Sequence, residues 1–262
     1  MPETNSLNIF ANRFWFAPGD VFLRSIERVI WAKQSFKPPI LDIGCGDAGI
    51  SRILFKGHRK IDLGIDLDKA GIKKARQSNF YKKVMIVDAA DMPFEAGSFQ
   101  TVISNSTFEH IKNDLKSVAE TSRVLKKGGR FFFTVPSKRL KNALEAIIKD
   151  KNKVNILNQR LSHWHYRDLN QWTDILQKHG LIVETYQYYF PKPAVKIWYR
   201  LFRIATFRPY RREFWSYLKD SPYGRLFPKR LIAKIIVQYL RPFLPQIFDR
   251  SGCWLFIVAK KS

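Results

Sequence analysis

Five short runs of β-branched and aromatic residues, at 40–44, 61–66, 84–88, 101–104 and 130–135, punctuate the first half of the chain. Each is short for a helix, so each predicts a strand. Between them apolar positions return at helical spacing over about 48–56, 69–79 and 114–125, and Gly128-Gly129 reads as the stop of the last helix. Strand and helix in alternation predict βα units wound into a mainly parallel sheet. Ahead of them, Val21, Phe22, Ile26, Val29 and Ile30 predict an amphipathic helix over 19–33.

Beyond residue 190 the pattern changes. Lys196, Arg200 and Arg203 recur at helical spacing around an apolar arc of Val195, Ile197, Trp198, Leu201, Phe202 and Ile204. A second helix, opened by Pro228 and ended by Pro242, sets Arg230, Lys234 and Arg241 around Leu231, Ile232, Ile235, Ile236, Tyr239 and Leu240. At ~1.5 Å per residue a helix of ~13 residues is ~20 Å long, short of the ~30 Å hydrocarbon core of a bilayer. Such helices can lie on a membrane but not cross it.

Composition sharpens this contrast. The 262 residues carry a net charge of +24, and residues 191–250 hold 14 Lys+Arg against Glu213, Asp220 and Asp249, a net of +11. A field of that sign attracts anionic lipid, nucleic acid or acidic substrates. Basic-faced amphipathic helices bordered by aromatics favour an anionic membrane surface. Packing of the apolar faces on the core as a lid is the plainer alternative. Nucleic acid ranks lower, because the aromatics belong to apolar faces rather than to isolated stacking platforms. Two cysteines exclude a disulfide framework and predict a reduced, cytoplasmic compartment, and the first ten residues carry no basic-then-apolar leader. Cys45 and Cys253 read as small buried residues, and no metal-ligand spacing predicts a metal site.

Candidate chemistry lies where the first strand ends. Leu41-Asp42-Ile43 runs into Gly44-Cys45-Gly46-Asp47-Ala48-Gly49, a glycine-rich turn that lets a ligand approach bare backbone. The turn satisfies the dinucleotide pattern G-x-G-x-x-G, but Asp47 sets a carboxylate where a pyrophosphate would sit. Asp42, Asp66 and Asp88 place an acid near the end of each of the first three strands, where open parallel sheets bind ligands. Residues 40–114 are nearly neutral, with 11 Lys+Arg and 10 Asp+Glu. A ligand with a ribose, an amine and a positive centre suits such a pocket. S-adenosylmethionine is one, with Asp66 on the ribose, Asp88 on the adenine amino group, and Asp42 with the loop at the methionine end. Taken singly, each acid also admits a structural role: loop bonding for Asp42, a turn for Asp66, a cap for Asp88.

At this point the chain resembles the class I S-adenosylmethionine-dependent methyltransferases, and among them the type-11 subgroup. The likeness covers roughly residues 38–190 and rests on Leu41 to Gly46, Gly64-Ile65-Asp66, Asp88 to Phe94 with Ser98-Phe99, Glu109-His110, and Glu120 to Gly129. Ala48, Gln100 and Lys127 depart from the usual residues. The resemblance implies a Rossmann-like α/β fold, a doubly wound, mostly parallel sheet of seven strands whose last two, at 181–189 and 253–259, form an antiparallel hairpin. It also implies cofactor contacts at Gly44, Gly46, Asp66, Leu67, Asp88, Ala89 and Asn105, and Cys45 is taken with its loop. The division is then 1–37 as an N-terminal cap-helix region, 38–190 as the S-adenosylmethionine-binding core, 191–250 as a basic helical insertion and 251–262 as the last strand.

Methyl transfer is an in-line displacement that depends on alignment and exclusion of water, and a carbon or hydroxyl acceptor must also lose a proton. Of the five histidines, His58 and His179 sit in surface turns; His110, His163 and His165 lie on segments expected to border the pocket, where structural hydrogen bonding is the plainer role for each, and His110 and His165 are the candidates for that proton. Three functions fit this pattern. The first is methylation of a small, hydrophobic or lipid-linked acceptor, such as a quinone precursor or prenyl-linked sugar, by an enzyme peripheral to the inner face of a membrane. RNA or protein methylation, with the insertion gripping the substrate, is the second. The third is a cofactor-binding module without catalysis.

Overall fold

A computed structural model describes residues 2–55, 57, 60–208, 213, 228–246 and 250–262. Two helices open the chain, α1 (Pro2–Phe14) and α2 (Pro18–Trp31). Proline at the first turn of α2 needs no donor, and the helix buries Val21, Phe22, Ile26, Val29 and Ile30, the predicted stripe. The expected single cap helix is thus a pair, with Leu7, Phe10 and Ala11 of α1 fully buried at i, i+3, i+4.

The sheet has seven strands: β1 (Ile40–Ile43), β2 (Ile61–Asp66), β3 (Tyr81–Ile86), β4 (Phe99–Asn105), β5 (Leu125–Pro136), β6 (Leu181–Tyr189) and β7 (Trp254–Lys261). Their order is β3-β2-β1-β4-β5-β7-β6. The first five strands are mutually parallel, while β7 runs antiparallel to both β5 and β6, pairing Phe133 with Ile257 and Tyr188 with Leu255. This is the Rossmann-like sheet with its terminal hairpin. Because β1 lies between β2 and β4, the winding reverses there and opens a crevice at the carboxyl ends of the strands.

Helices α3 (Ser51–Leu54), α4 (Lys69–Gln77), α5 (Asp114–Val124), α6 (Lys138–Ile148), α7 (Lys151–Leu161) and α8 (Leu169–Lys178) complete the layers. Several start where a side chain caps them: Asp68 accepts from Ala70 N, Ser137 from Arg139 N, Asp150 from Lys153 N, and Asp168 forms a reciprocal capping box with Gln171. The α3 helix is shorter than its pattern predicts, and His58 lies outside the described residues. The reading of Gly128-Gly129 as a helix stop is corrected. Helix α5 ends at Val124, and both glycines lie inside β5, where Gly128 has φ +73°. A strand tolerates that break because only glycine adopts it freely.

In the 191–250 segment, α9 (Lys192–Ala205) and α10 (Lys229–Leu240) match the two predicted basic amphipathic helices, and a 3₁₀ segment over Arg241–Gln246 contains Pro242. Helix α9 packs on α2 and α10 on α1. Val195, Ile197 and Trp198 are buried in the same core as Phe22 and Phe190, whereas Ile204, Leu231, Ile235 and Tyr239 are exposed. The insertion is therefore anchored by part of its apolar surface and leaves the rest uncovered among the described residues.

Candidate functional site

Gly44, at φ +80°, turns the chain out of β1 so that its amide and that of Cys45 both donate to the Ile65 carbonyl, at 2.8 and 3.1 Å. Asp66, at the end of β2, ties the loop from the other side. Its Oδ2 accepts from Gly46 N at 2.8 Å and its Oδ1 from Asp68 N at 2.9 Å. Asp88 Oδ1 accepts from Ala90 N at 2.8 Å. Between these turns lies a cavity of about 390 Å³ whose walls include Gly44, Asp66, Leu67, Asp88, Ala89 and His110. Six of the residues singled out from the sequence thus share one cavity. Leu67 is 62% exposed, an apolar ledge on the same wall as the two acids.

Five others stand elsewhere. Asp42 is buried beneath the loop, where its Oδ2 accepts from Tyr81 OH at 2.6 Å and Ser51 Oγ at 3.0 Å, and it is not on the cavity wall. The loop-bonding alternative is the nearer one for this acid: it is a buried brace. Cys45 is also buried, its Sγ packed toward Gly64, and burial pushes its thiol well up. Gly46 spends its amide on Asp66 and is not a wall residue. Asn105 is held on the α2 side, with Oδ1 accepting from Trp31 Nε1 at 2.7 Å and Nδ2 donating to Glu27 at 3.0 Å. Ala48, at φ +64°, points its methyl into the core, so this departure from glycine does not crowd the cavity.

Burial raises the Asp42 carboxyl to about 6, although hydrogen bonds from Tyr81 and Ser51 pull the other way. The folded chain therefore holds this proton more tightly than the unfolded one, and the stability it contributes is full below about pH 4 and lost as pH rises through about 6. Tyr81→Phe removes a donor that serves the ionised form. We expect it to cost about 1.5–3 kcal/mol at pH 8 and distinctly less at pH 5, read from urea unfolding of both proteins at each pH. An equal loss at the two values would show that Asp42 does not titrate in this range.

The two candidate histidines part company. His110 ends a 3₁₀ turn over Phe108–His110 and faces the cavity. His165 Nε2 instead hydrogen-bonds the Lys112 carbonyl at 3.0 Å and lies 3.5 Å from Asp114, which is itself paired with Arg167. It belongs to a structural network. His163, from the same histidine-rich segment as His165, stands beside His110 with ring centroids 5.2 Å apart. Glu109 completes the group, only 3% exposed, its carbonyl accepting from Trp164 N at 2.8 Å and so tying the 3₁₀ turn to the loop before α8. Burial pushes the Glu109 carboxyl up to about 8 and holds His163 down to about 3.

Residues 41–133 match the family described as methyltransferase domain, type 11. Over this stretch the chain is similar to the methyltransferase domains of S-adenosylmethionine-dependent enzymes. It is 30% identical over 151 residues to the chloroplastic tocopherol O-methyltransferase of Arabidopsis thaliana, covering 54% of this chain and 43% of that one. It is 32% identical over 125 residues to the sarcosine/dimethylglycine N-methyltransferase of Halorhodospira halochloris, covering 45% of each. These matches span less than half of either relative. An S-adenosylmethionine-dependent methyltransferase from Thermotoga maritima shares the fold, with a TM-score of 0.59 at 17% identity over 99% of this chain and 100% of that one.

S-adenosylmethionine is the methyl donor that a domain of this kind implies, and the cavity fits it. Gly44 leaves backbone bare, and a side chain there would run into Thr107. The Asp88 carboxylate is exposed and Asp66 half-buried, so lone pairs remain for ribose hydroxyls and an adenine amino group. The ledge of Leu67 offers a face for the ring.

Proposed function

We propose that the protein transfers a methyl group from S-adenosylmethionine to a hydroxyl of an apolar, lipid-borne acceptor at the anionic inner face of a membrane. One observation carries the acceptor class. A groove of about 1080 Å³ runs between α9 and α10, walled by Leu201, Ile204, Phe207, Ile232, Ile235 and Tyr239, with Arg200 and Arg203 at its edge. An apolar trough with a cationic rim complements a hydrocarbon chain under anionic head groups. Pro18, at the start of α2, also borders this groove, and six residues further along the same helix Arg24 donates to Ser106 at 2.8 Å, next to the cavity residue Thr107. At ~1.5 Å per residue that is ~9 Å along the helix, within reach of an acceptor whose tail lies in the groove. The relative that acts on tocopherol, a phenol with a hydrocarbon tail, supports the same class.

No helix of the described residues is long and apolar enough to span a bilayer, so attachment is peripheral in this reading. When bound, S-adenosylmethionine supplies an electrophilic methyl on a sulfonium. The chain's part is to align an acceptor oxygen with that methyl, shed water, and help remove the acceptor proton from the side where His110 stands.

Reversing three exposed charges, Arg200, Arg203 and Lys234 to Glu, removes several kcal/mol of attraction at ~1 kcal/mol per basic residue. Co-sedimentation with vesicles of anionic phospholipid should fall more than 100-fold while S-adenosylmethionine affinity in solution stays unchanged. The same vesicles, loaded with total lipid extract, should accept labelled methyl from the parent protein. Tight binding of RNA at equal ionic strength, with no binding to anionic vesicles, would replace this acceptor with a nucleic acid.

A further inference from the structure

We propose that Glu109, His110 and His163 form a binding face for one divalent transition-metal ion, with Zn²⁺ the first candidate, at the edge of the methyl-donor cavity. One ligand-type atom from each, a carboxylate oxygen and two imidazole nitrogens, lies within 4.8 Å of the others. Around a tetrahedral Zn²⁺ with bonds of about 2.0–2.2 Å, ligand atoms sit about 3.4 Å apart. Small side-chain rotations close the difference. His110 Nε2 is already 3.9 Å from Glu109 Oε1.

The surrounding hydrogen bonds set both imidazoles in the ligand form. His110 Nδ1 faces the Ser162 carbonyl at 3.2 Å; a carbonyl only accepts, so Nδ1 carries the hydrogen and Nε2 presents a lone pair. Tyr166 OH donates to Asn158 at 2.7 Å and is 2.8 Å from His163 Nδ1, an arrangement in which the tyrosine oxygen accepts from that nitrogen. His163 Nε2 is then also a free lone pair. Metal-binding histidines are oriented in just this manner by a partner on the second nitrogen. The carboxylate also has an unmet need, because Glu109 Oε2 is buried without a hydrogen-bond partner among the described residues. A buried polar atom left unpaired is costly, and a cation would satisfy it. The fixed cation nearby, Arg24, binds Glu27 at 2.6 Å and Ser106 at 2.8 Å through Nη1, and its Nε is itself buried without a hydrogen-bond partner among the described residues.

Two histidines and one carboxylate leave at least one coordination position open, as catalytic rather than structural sites do. His110 places that position on the cavity wall. Its use there rests on the proposed function. An acceptor hydroxyl held at the open position becomes more acidic; its proton passes to water, its oxygen forms the bond to the methyl carbon as the sulfur–methyl bond breaks, and S-adenosylhomocysteine is the leaving group.

Binding of the metal alone tests the site without any acceptor. The full chain, stripped with chelator, should take up one Zn²⁺ by calorimetry and one Co²⁺ with the visible absorption of a low-coordinate nitrogen and oxygen site. Glu109→Gln, His110→Gln and His163→Gln should each lower that affinity at least 100-fold, and Glu109→Gln and His163→Gln, which are off the cavity wall, should leave S-adenosylmethionine affinity within about twofold. Glu109→Gln keeps shape and removes only the charge, so it decides the matter if a histidine variant misfolds. Failure to bind either ion at micromolar concentration, or unchanged affinity in all three variants, overturns the site. Full methyl transfer by the chelator-stripped protein overturns its part in the reaction, and loss of transfer with metal binding intact points instead to the wrong acceptor.

Discussion

Gly44→Ala is expected to abolish measurable S-adenosylmethionine binding. Two costs add. The residue sits at φ +80°, where an L side chain costs roughly 1–2 kcal/mol. Its new Cβ would lie 2.2 Å from Thr107 Oγ1 and 2.8 Å from Thr107 Cβ, so the threonine must move and not merely rotate. The Thr107 carbonyl accepts from His110 N at 2.9 Å, and a displaced Thr107 carries the His110 turn with it. About 3 kcal/mol in total would weaken binding more than 100-fold. Calorimetry with S-adenosylhomocysteine on Gly44→Ala and on Gly44→Ala/Thr107→Gly separates the two parts, since the second variant restores space but not backbone freedom. Parent-like affinity in the single variant would show that the cofactor lies in some other cavity.

What could be read from the chain followed from how local each signal is. The strands declare themselves because a parallel sheet is buried on both faces: Ile40 to Ile43 is apolar but for Asp42, and Val102 and Ile103 are both buried. Asp66, Leu67, Asp88 and Ala89 were legible as wall residues because they follow strands whose carboxyl ends must face one crevice. Asp42 was misplaced by the same logic. It lies inside β1, not after it, and strand alternation turns its side chain inward to Tyr81, a partner 39 residues away that no spacing announces. Asn105 fails similarly: its partners Trp31 and Glu27 come from α2, which the sheet pattern does not position. The pairing of His163 with His110 is hidden by distance, since 53 residues separate them. The sequence signal that could have joined them is the histidine-rich run at 163–165 ahead of the Asp168 cap, which α8 orients toward the 3₁₀ turn. Which of its two histidines faces the turn depends on a loop whose path only the fold fixes, through the bond from Trp164 N to the Glu109 carbonyl.

His110→Ala should lower the turnover of methyl transfer roughly 10²- to 10⁴-fold while S-adenosylmethionine affinity stays within about twofold. The histidine borders the same cavity as the two acids and Leu67, and in the proposed reading it serves the reacting end. An interaction made only in the transition state lowers kcat and kcat/KM together, and that equal fall is the signature sought. His165→Ala is the matched control. Its ring bonds a backbone carbonyl beside the Asp114–Arg167 pair, so it should lower thermal stability and leave turnover within about tenfold. His163→Gln then separates two ways in which His110 can act. If His110 takes the acceptor proton alone, the His163 variant turns over nearly as the parent does. With a shared cation between them, both variants lose turnover to a similar degree, and the double variant loses little more than either single one, because residues acting as one unit are not additive. A parent-like His110→Ala would move the chemistry away from this wall altogether.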